Sequence, residues 1–160
     1  MTLRFVTSGP SDTERAGQAL APLLRAGDVV ALSGDLGAGK THLVQGVAAG
    51  LGVPDAVTSP TFNIMLVHRG RLPLYHLDLY RLEREEELID IDFFETLEAD
   101  GVSMVEWGDR FPHALPPEHL RVEIHRLGGD DRAFDLRPVG ERGAALADAW
   151  LSALGRGAVR

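Results

Sequence analysis

The stretch Ser33-Gly34-Asp35-Leu36-Gly37-Ala38-Gly39-Lys40-Thr41 has the residue types and spacing to cradle a polyphosphate. From Gly34 to Thr41 it satisfies G-x-x-x-x-G-K-[ST], between an apolar run, Val29-Val30-Ala31-Leu32, and an amphipathic segment over residues 41–51. Gly37 and Gly39 lack a Cβ, so backbone N–H groups can wrap phosphates closely, and the positive end of the following helix adds to the attraction. Lys40 would reach the outer phosphates, the Thr41 hydroxyl would hold a magnesium ion bridging them, and the backbone N–H of His42 would point at the inner phosphates. Lys40 is the only lysine beside fifteen arginines. A compact ammonium is kept where a guanidinium fork would crowd the loop.

Binding alone is not turnover, which also needs a carboxylate near the metal and a group that orients water. Glu106 is the best candidate, because it ends the apolar strand Val102-Ser103-Met104-Val105 and so emerges at the same sheet edge as the loop. Asp78 is the second. Alternation over residues 72–79 puts Leu74, His76, Asp78 and Tyr80 on one face and Tyr75, Leu77 and Leu79 on the other. Asp78 either binds the metal through water, orients the attacking water, or forms a plain salt bridge with Arg71 or Arg81. His76 reads as a structural histidine and Trp107 as a packing residue whose fluorescence could report nucleotide. Thr61, after Ser59-Pro60, lies in a loop that could close over the outer phosphate. The six histidines show no zinc spacing.

These residues need a scaffold. A first strand is expected over residues 3–7, then a helix opened by a capping box, Ser11-Asp12-Thr13-Glu14, and running to Arg25. The loop strand (28–32) and loop helix (41–51) follow, then a hairpin of residues 63–68 and 72–79 around Arg69-Gly70-Arg71. Residues 82–99 hold eight acidic side chains and read as one or two short helices with a solvated face. The Glu106 strand comes next, then a second hairpin (119–127 and 132–138) and a last helix (143–154). Strands alternating with helices around a phosphate loop imply a three-layer α/β, P-loop NTPase-like fold with a mainly parallel central sheet and an antiparallel edge hairpin. The nucleotide should lie at the carboxyl ends of the strands.

At 160 residues the chain is expected to form one domain, residues 1–160, with a frayed tail at 156–160. It is short for an enzyme that encloses two substrates, which suggests that a partner supplies the rest. A net charge of −8 argues against unaided binding to a nucleic-acid backbone, so any contact with RNA should be indirect. There is no cysteine, and no stretch approaches a membrane span. A cytoplasmic protein is the expectation.

Four motifs in order complete the picture: Gly34-Asp35-Leu36-Gly37-Ala38-Gly39-Lys40-Thr41, Ser59-Pro60-Thr61-Phe62, His76-Leu77-Asp78-Leu79-Tyr80-Arg81 and Val105-Glu106-Trp107. Together they closely resemble the bacterial TsaE family. The resemblance implies a small ATPase, using ATP and Mg2+, required for threonylcarbamoyladenosine in tRNA beside the anticodon. It also implies two partners, TsaD, which transfers the threonylcarbamoyl group, and TsaB, its paralogue. By position it makes Lys40 and the Gly37-Ala38-Gly39 backbone phosphate ligands, Thr41 and Glu106 magnesium ligands, Asp78 the other functional carboxylate, and Thr61 part of a switch-like segment. Arg132 aligns with an arginine near the nucleotide. Two departures stand out: His42 replaces a second threonine, and Pro10 stands where the family's first helix carries an acid.

A small-molecule kinase is one rival, though no lid with clustered arginines is evident. A guanine-nucleotide switch is another, but its N-K-x-D signature is missing: Asn63 is the only asparagine and Lys40 is already used. A nucleotide-dependent interaction module with incidental hydrolysis overlaps with the family role.

Overall fold

In the computed structural model, residues 3–35, 38–54, 57 and 64–155 are described. Seven strands form one sheet: β1 (Leu3–Ser8), β2 (Val29–Ser33), β3 (Met65–Arg69), β4 (Pro73–Asp78), β5 (Val102–Glu106), β6 (His119–Gly128) and β7 (Asp131–Val139). Their order is β1-β7-β6-β2-β5-β4-β3. The centre is parallel, with β2 pairing both β6 and β5, and β5 pairing β4. Both flanks are antiparallel. The expected hairpins β3–β4 and β6–β7 are present, and β1 closes the far edge against β7.

Helices cover the sheet on both faces. Alternation along the strands sends Val30, Leu32, Leu74, Val102 and Met104 into one core, under α1 (Pro10–Leu20), α2 (Lys40–Gly50) and α5 (Gly140–Ala153). Val29, Leu77 and Val105 enter a second core, under α3 (Glu87–Asp90) and α4 (Phe93–Leu97). These are the three layers expected. No described helix is long and apolar enough to cross a membrane.

The expected capping box at Ser11 does not form. The first helix starts two residues earlier than that box would place it, with Pro10 in its first turn and Gly9, at φ 103°, as N-cap. Proline's fixed φ is already helical and its missing N–H is not needed there, so it nucleates the turn without a side-chain cap. Asp12 instead reaches back to accept the Ser8 N–H at 2.9 Å. The α-helix ends at Leu20, and a short 3-10 turn, Ala21–Leu23, completes the segment.

Candidate active site

The loop follows the carboxyl end of β2. Gly34 adopts φ 139°, and a Cβ there would lie 2.6 Å from the Ile124 carbonyl oxygen on β6, so both conformation and space demand glycine. Gly39, at φ 114°, is the N-cap of α2, and no side chain caps that end. The first backbone N–H groups of α2 therefore remain for another acceptor. Leu36 and Gly37 lie outside the described residues, as do Ser59, Pro60, Thr61 and Phe62.

Lys40 opens α2 and is buried. Its ammonium donates to the carbonyl oxygens of Gly34, at 2.5 Å, and Asp35, at 3.0 Å. Burial pulls its pKa below the ordinary lysine value, while the charges of Glu106, Asp78, Asp109 and Asp35 oppose that shift. Lys40 is thus the shared counter-charge of the acidic groups at this sheet edge.

Register explains how two of those groups meet. Leu74 pairs with Val102, His76 with Met104 and Asp78 with Glu106 across the parallel β4–β5 ladder. Because Leu74, Val102 and Met104 face the α2 side, the period of two carries His76, Asp78 and Glu106 to that side as well. Glu106 is buried and accepts a hydrogen bond from His76 Nε2, whose side chain is itself fully buried. Asp78 is half-buried, and its Oδ1 accepts the Tyr80 N–H at 3.0 Å. Burial pushes its carboxyl above the usual carboxylate range; the Tyr80 N–H works against this, and Glu106 adds to it. Of the two arginines weighed as salt-bridge partners for Asp78, Arg71 donates instead to the Ala21 carbonyl at 2.8 Å.

After Glu106 the chain turns sharply. Trp107 takes φ 60°, a left-handed conformation uncommon for a bulky residue, before a 3-10 turn, Gly108–Arg110. The turn brings the indole beneath the Lys40 ammonium, 4.3 Å from the ring centroid, with Tyr80 packed on it at 4.9 Å. Trp107 is therefore a wall of the site and not only a packing residue. Arg132 reaches the loop from β7, donating from Nε to the Ala38 carbonyl at 2.9 Å. His42 is exposed and faces Glu14 of α1 at 3.7 Å, so its side chain points to the neighbouring helix.

Gly34, Asp35, Ala38, Gly39, Lys40, Thr41, Asp78, Glu106 and Arg132 all map to this end of the sheet or to segments touching it. Two contributions escaped the sequence reading: Trp107 as the partner of Lys40, and His76 as the partner of Glu106. Alternation along β4 was the available signal for His76, since it shares a face with Asp78.

A family model described as threonylcarbamoyl adenosine biosynthesis protein TsaE matches residues 7–134. Similar proteins include the tRNA threonylcarbamoyladenosine biosynthesis protein TsaE of Bacillus subtilis, 42% identical over 141 residues that make up 88% of each chain. The protein of the same name from Streptomyces coelicolor is 47% identical over 141 residues, covering 86% of this chain and 93% of its own. Among solved structures, the crystal structure of Bacillus subtilis YdiB superposes with a TM-score of 0.78 at 35% identity, covering 95% of both chains.

Proposed function

The chain belongs to the TsaE family, with a role in tRNA threonylcarbamoyladenosine biosynthesis, and from that premise we propose that it is a magnesium-dependent ATPase serving a TsaB–TsaD complex. The observation that carries the catalytic part is the meeting of Lys40 with two strand-end carboxylates, Asp78 and Glu106, beside the Gly34–Thr41 loop.

The donor set suits a hard cation. Two carboxylates on paired strands and a threonine hydroxyl at the start of α2 are oxygen ligands of the kind magnesium takes. The carboxyl of Asp78 is raised chiefly by burial, with the charge of Glu106 adding to it and that of Lys40 opposing it. Thr41 and Glu106 would hold the ion, which when bound neutralises phosphate charge. Lys40 exchanges its loop carbonyls for the outer phosphate oxygens of ATP, where a buried ammonium acts at full strength. The uncapped N-terminus of α2 supplies backbone donors to the same phosphates. Asp78 orients the attacking water. Arg132 fixes the loop through the Ala38 carbonyl.

Nothing in this arrangement selects an RNA substrate, and the net charge of −8 disfavours one. The ATP cycle therefore acts on a protein complex, and turnover by the isolated chain should be slow. Two measurements test the reading. Phosphate release from ATP should require magnesium and stop in EDTA. The chain should also co-purify with TsaB and TsaD in an ATP-dependent way and raise the yield of modified adenosine in tRNA. Absence of both association and stimulation would remove the partner role even if hydrolysis stood.

A further inference from the structure

His76 sits in the middle of β4, between Met104 on β5 and Leu66 on β3, and is fully buried. Its ring makes one hydrogen bond, from Nε2 to Oε2 of Glu106. Among the described residues Nδ1 finds no partner. A ring nitrogen buried without a partner is destabilising, a cost that a leucine or valine at this strand position would avoid. Packing alone therefore does not account for an imidazole here, and its single polar contact is to a proposed magnesium ligand.

Facing a carboxylate oxygen, the imidazole takes the donor role through Nε2. It also divides the work of the Glu106 carboxylate. Oε2 is held beneath the sheet edge by the imidazole, and Oε1 makes no hydrogen bond to any described residue. Glutamate has three side-chain torsions, and without that anchor the carboxylate could turn toward the Lys40 ammonium, to which it is already coupled. We propose that His76 is a positioning residue: it locks the Glu106 rotamer so that Oε1 is presented to the cation rather than spent on Lys40. This rests on the magnesium reading above. Partners of this kind, one step out from the metal, typically carry a ten- to hundred-fold share of metal affinity.

The test compares two polar substitutions. A glutamine amide nitrogen reaches the place of the imidazole Nε2, whereas an asparagine amide stops at the place of Nδ1, out of reach of Glu106. ADP affinity is measured by calorimetry in Mn2+ and in EDTA, with thermal melts to confirm folding. His76→Asn should lose about ten-fold or more of the metal-dependent gain in affinity, with binding in EDTA unchanged, while His76→Gln keeps that gain within about three-fold. Should His76→Asn melt below the assay temperature, His76→Met, which has bulk but no donor, takes its place. Equal losses in the donor-bearing and donor-free variants, or no loss in either, overturn the positioning role alone. A parent protein that binds ADP equally with and without Mn2+ overturns the magnesium reading and this inference with it.

Discussion

The ammonium of Lys40 stands 4.3 Å from the centroid of the Trp107 indole. A cation over an aromatic face gains roughly 0.5–2 kcal/mol, enough to hold the side chain but less than a phosphate offers. ATP should therefore draw Lys40 from the ring, and the indole should report it. The chain has two tryptophans, and Trp150 is buried with its Nε1–H donated to the Ala16 carbonyl at 2.9 Å. Titration with ATP should change the emission of the parent protein and leave that of Trp107→Phe nearly constant. A full signal in Trp107→Phe would place the reporter at Trp150 instead.

Removing the ammonium should separate binding from folding. Lys40→Ala would lose the proposed charge-assisted contacts to phosphate, and ATP affinity should then fall at least about 100-fold, or about 3 kcal/mol. Stability should change little, because the cost of burying the charged amine offsets what its contacts with the loop carbonyls, the Trp107 ring and the neighbouring carboxylates contribute. Calorimetric titration and a thermal melt of the same preparation check both halves.

Asp78 is predicted to be a functional residue that costs stability. Burial raises its carboxyl above the ordinary value of 3.8, so the native state holds the proton more tightly than the unfolded chain. Its contribution is then full below that value and lost as pH rises through the raised pKa. Asp78→Asn keeps an oxygen for the Tyr80 N–H and removes the charge. Its melting temperature at about pH 7 should match the parent or exceed it by up to about 3 °C, and the difference should vanish near about pH 3.5. ATP hydrolysis should fall about 100-fold. A variant destabilised at neutral pH would show that the carboxylate supports the fold.

Much of this site was legible because its chemistry is local. The Gly34–Thr41 spacing, the apolar run ending in Glu106 and the alternation around Asp78 each fit within a few residues. What stayed hidden was long-range or conformational. Nothing near His76 announces a bond to a residue thirty positions on, and the left-handed conformation after Glu106 falls on Trp107 rather than on the glycine beside it. The antiparallel addition of β1 to β7 joins the two ends of the chain, a pairing that local pattern cannot specify. The capping box failed for the opposite reason, since Ser11 to Glu14 matched the pattern while Pro10 had already begun the helix.

Arg142 and Asp28 tie the last helix to the entry of β2. The guanidinium donates from Nε to Oδ1 at 2.8 Å and from Nη2 to Oδ2 at 2.6 Å, and Nη2 also meets the Leu23 carbonyl at 2.9 Å. The pair is mostly buried and bidentate, so breaking it leaves a charge without its partner. Arg142→Ala should destabilise by about 2–3 kcal/mol in urea unfolding, with ATP affinity unchanged, since the pair is remote from the loop in the fold. Loss of binding without loss of stability would contradict that separation.

The position of α2 depends on glycines in the helix pair. A Cβ on Gly17 of α1 would lie 2.5 Å from the Leu43 carbonyl oxygen and 2.8 Å from the Val47 nitrogen, both backbone atoms of α2. Gly46 of α2 meets the Glu14 carbonyl of α1 in the same way. Backbone cannot rotate aside as a flexible side chain can, so Gly17→Ala must move one helix against the other. The cost should be about 2–4 kcal/mol despite the better helix propensity of alanine. Because Lys40 and Thr41 begin α2, the displacement reaches the loop, and misplacement of catalytic groups by tenths of an ångström to 1 Å can cost up to about 100-fold in rate. Gly128→Ala is the control: a Cβ there meets nothing within 4 Å, and the change should stay within about 0.5 kcal/mol. Chemical denaturation and ATP hydrolysis measured on both variants check the contrast. Parent-like behaviour in Gly17→Ala would show that the helix pair can yield without disturbing Lys40.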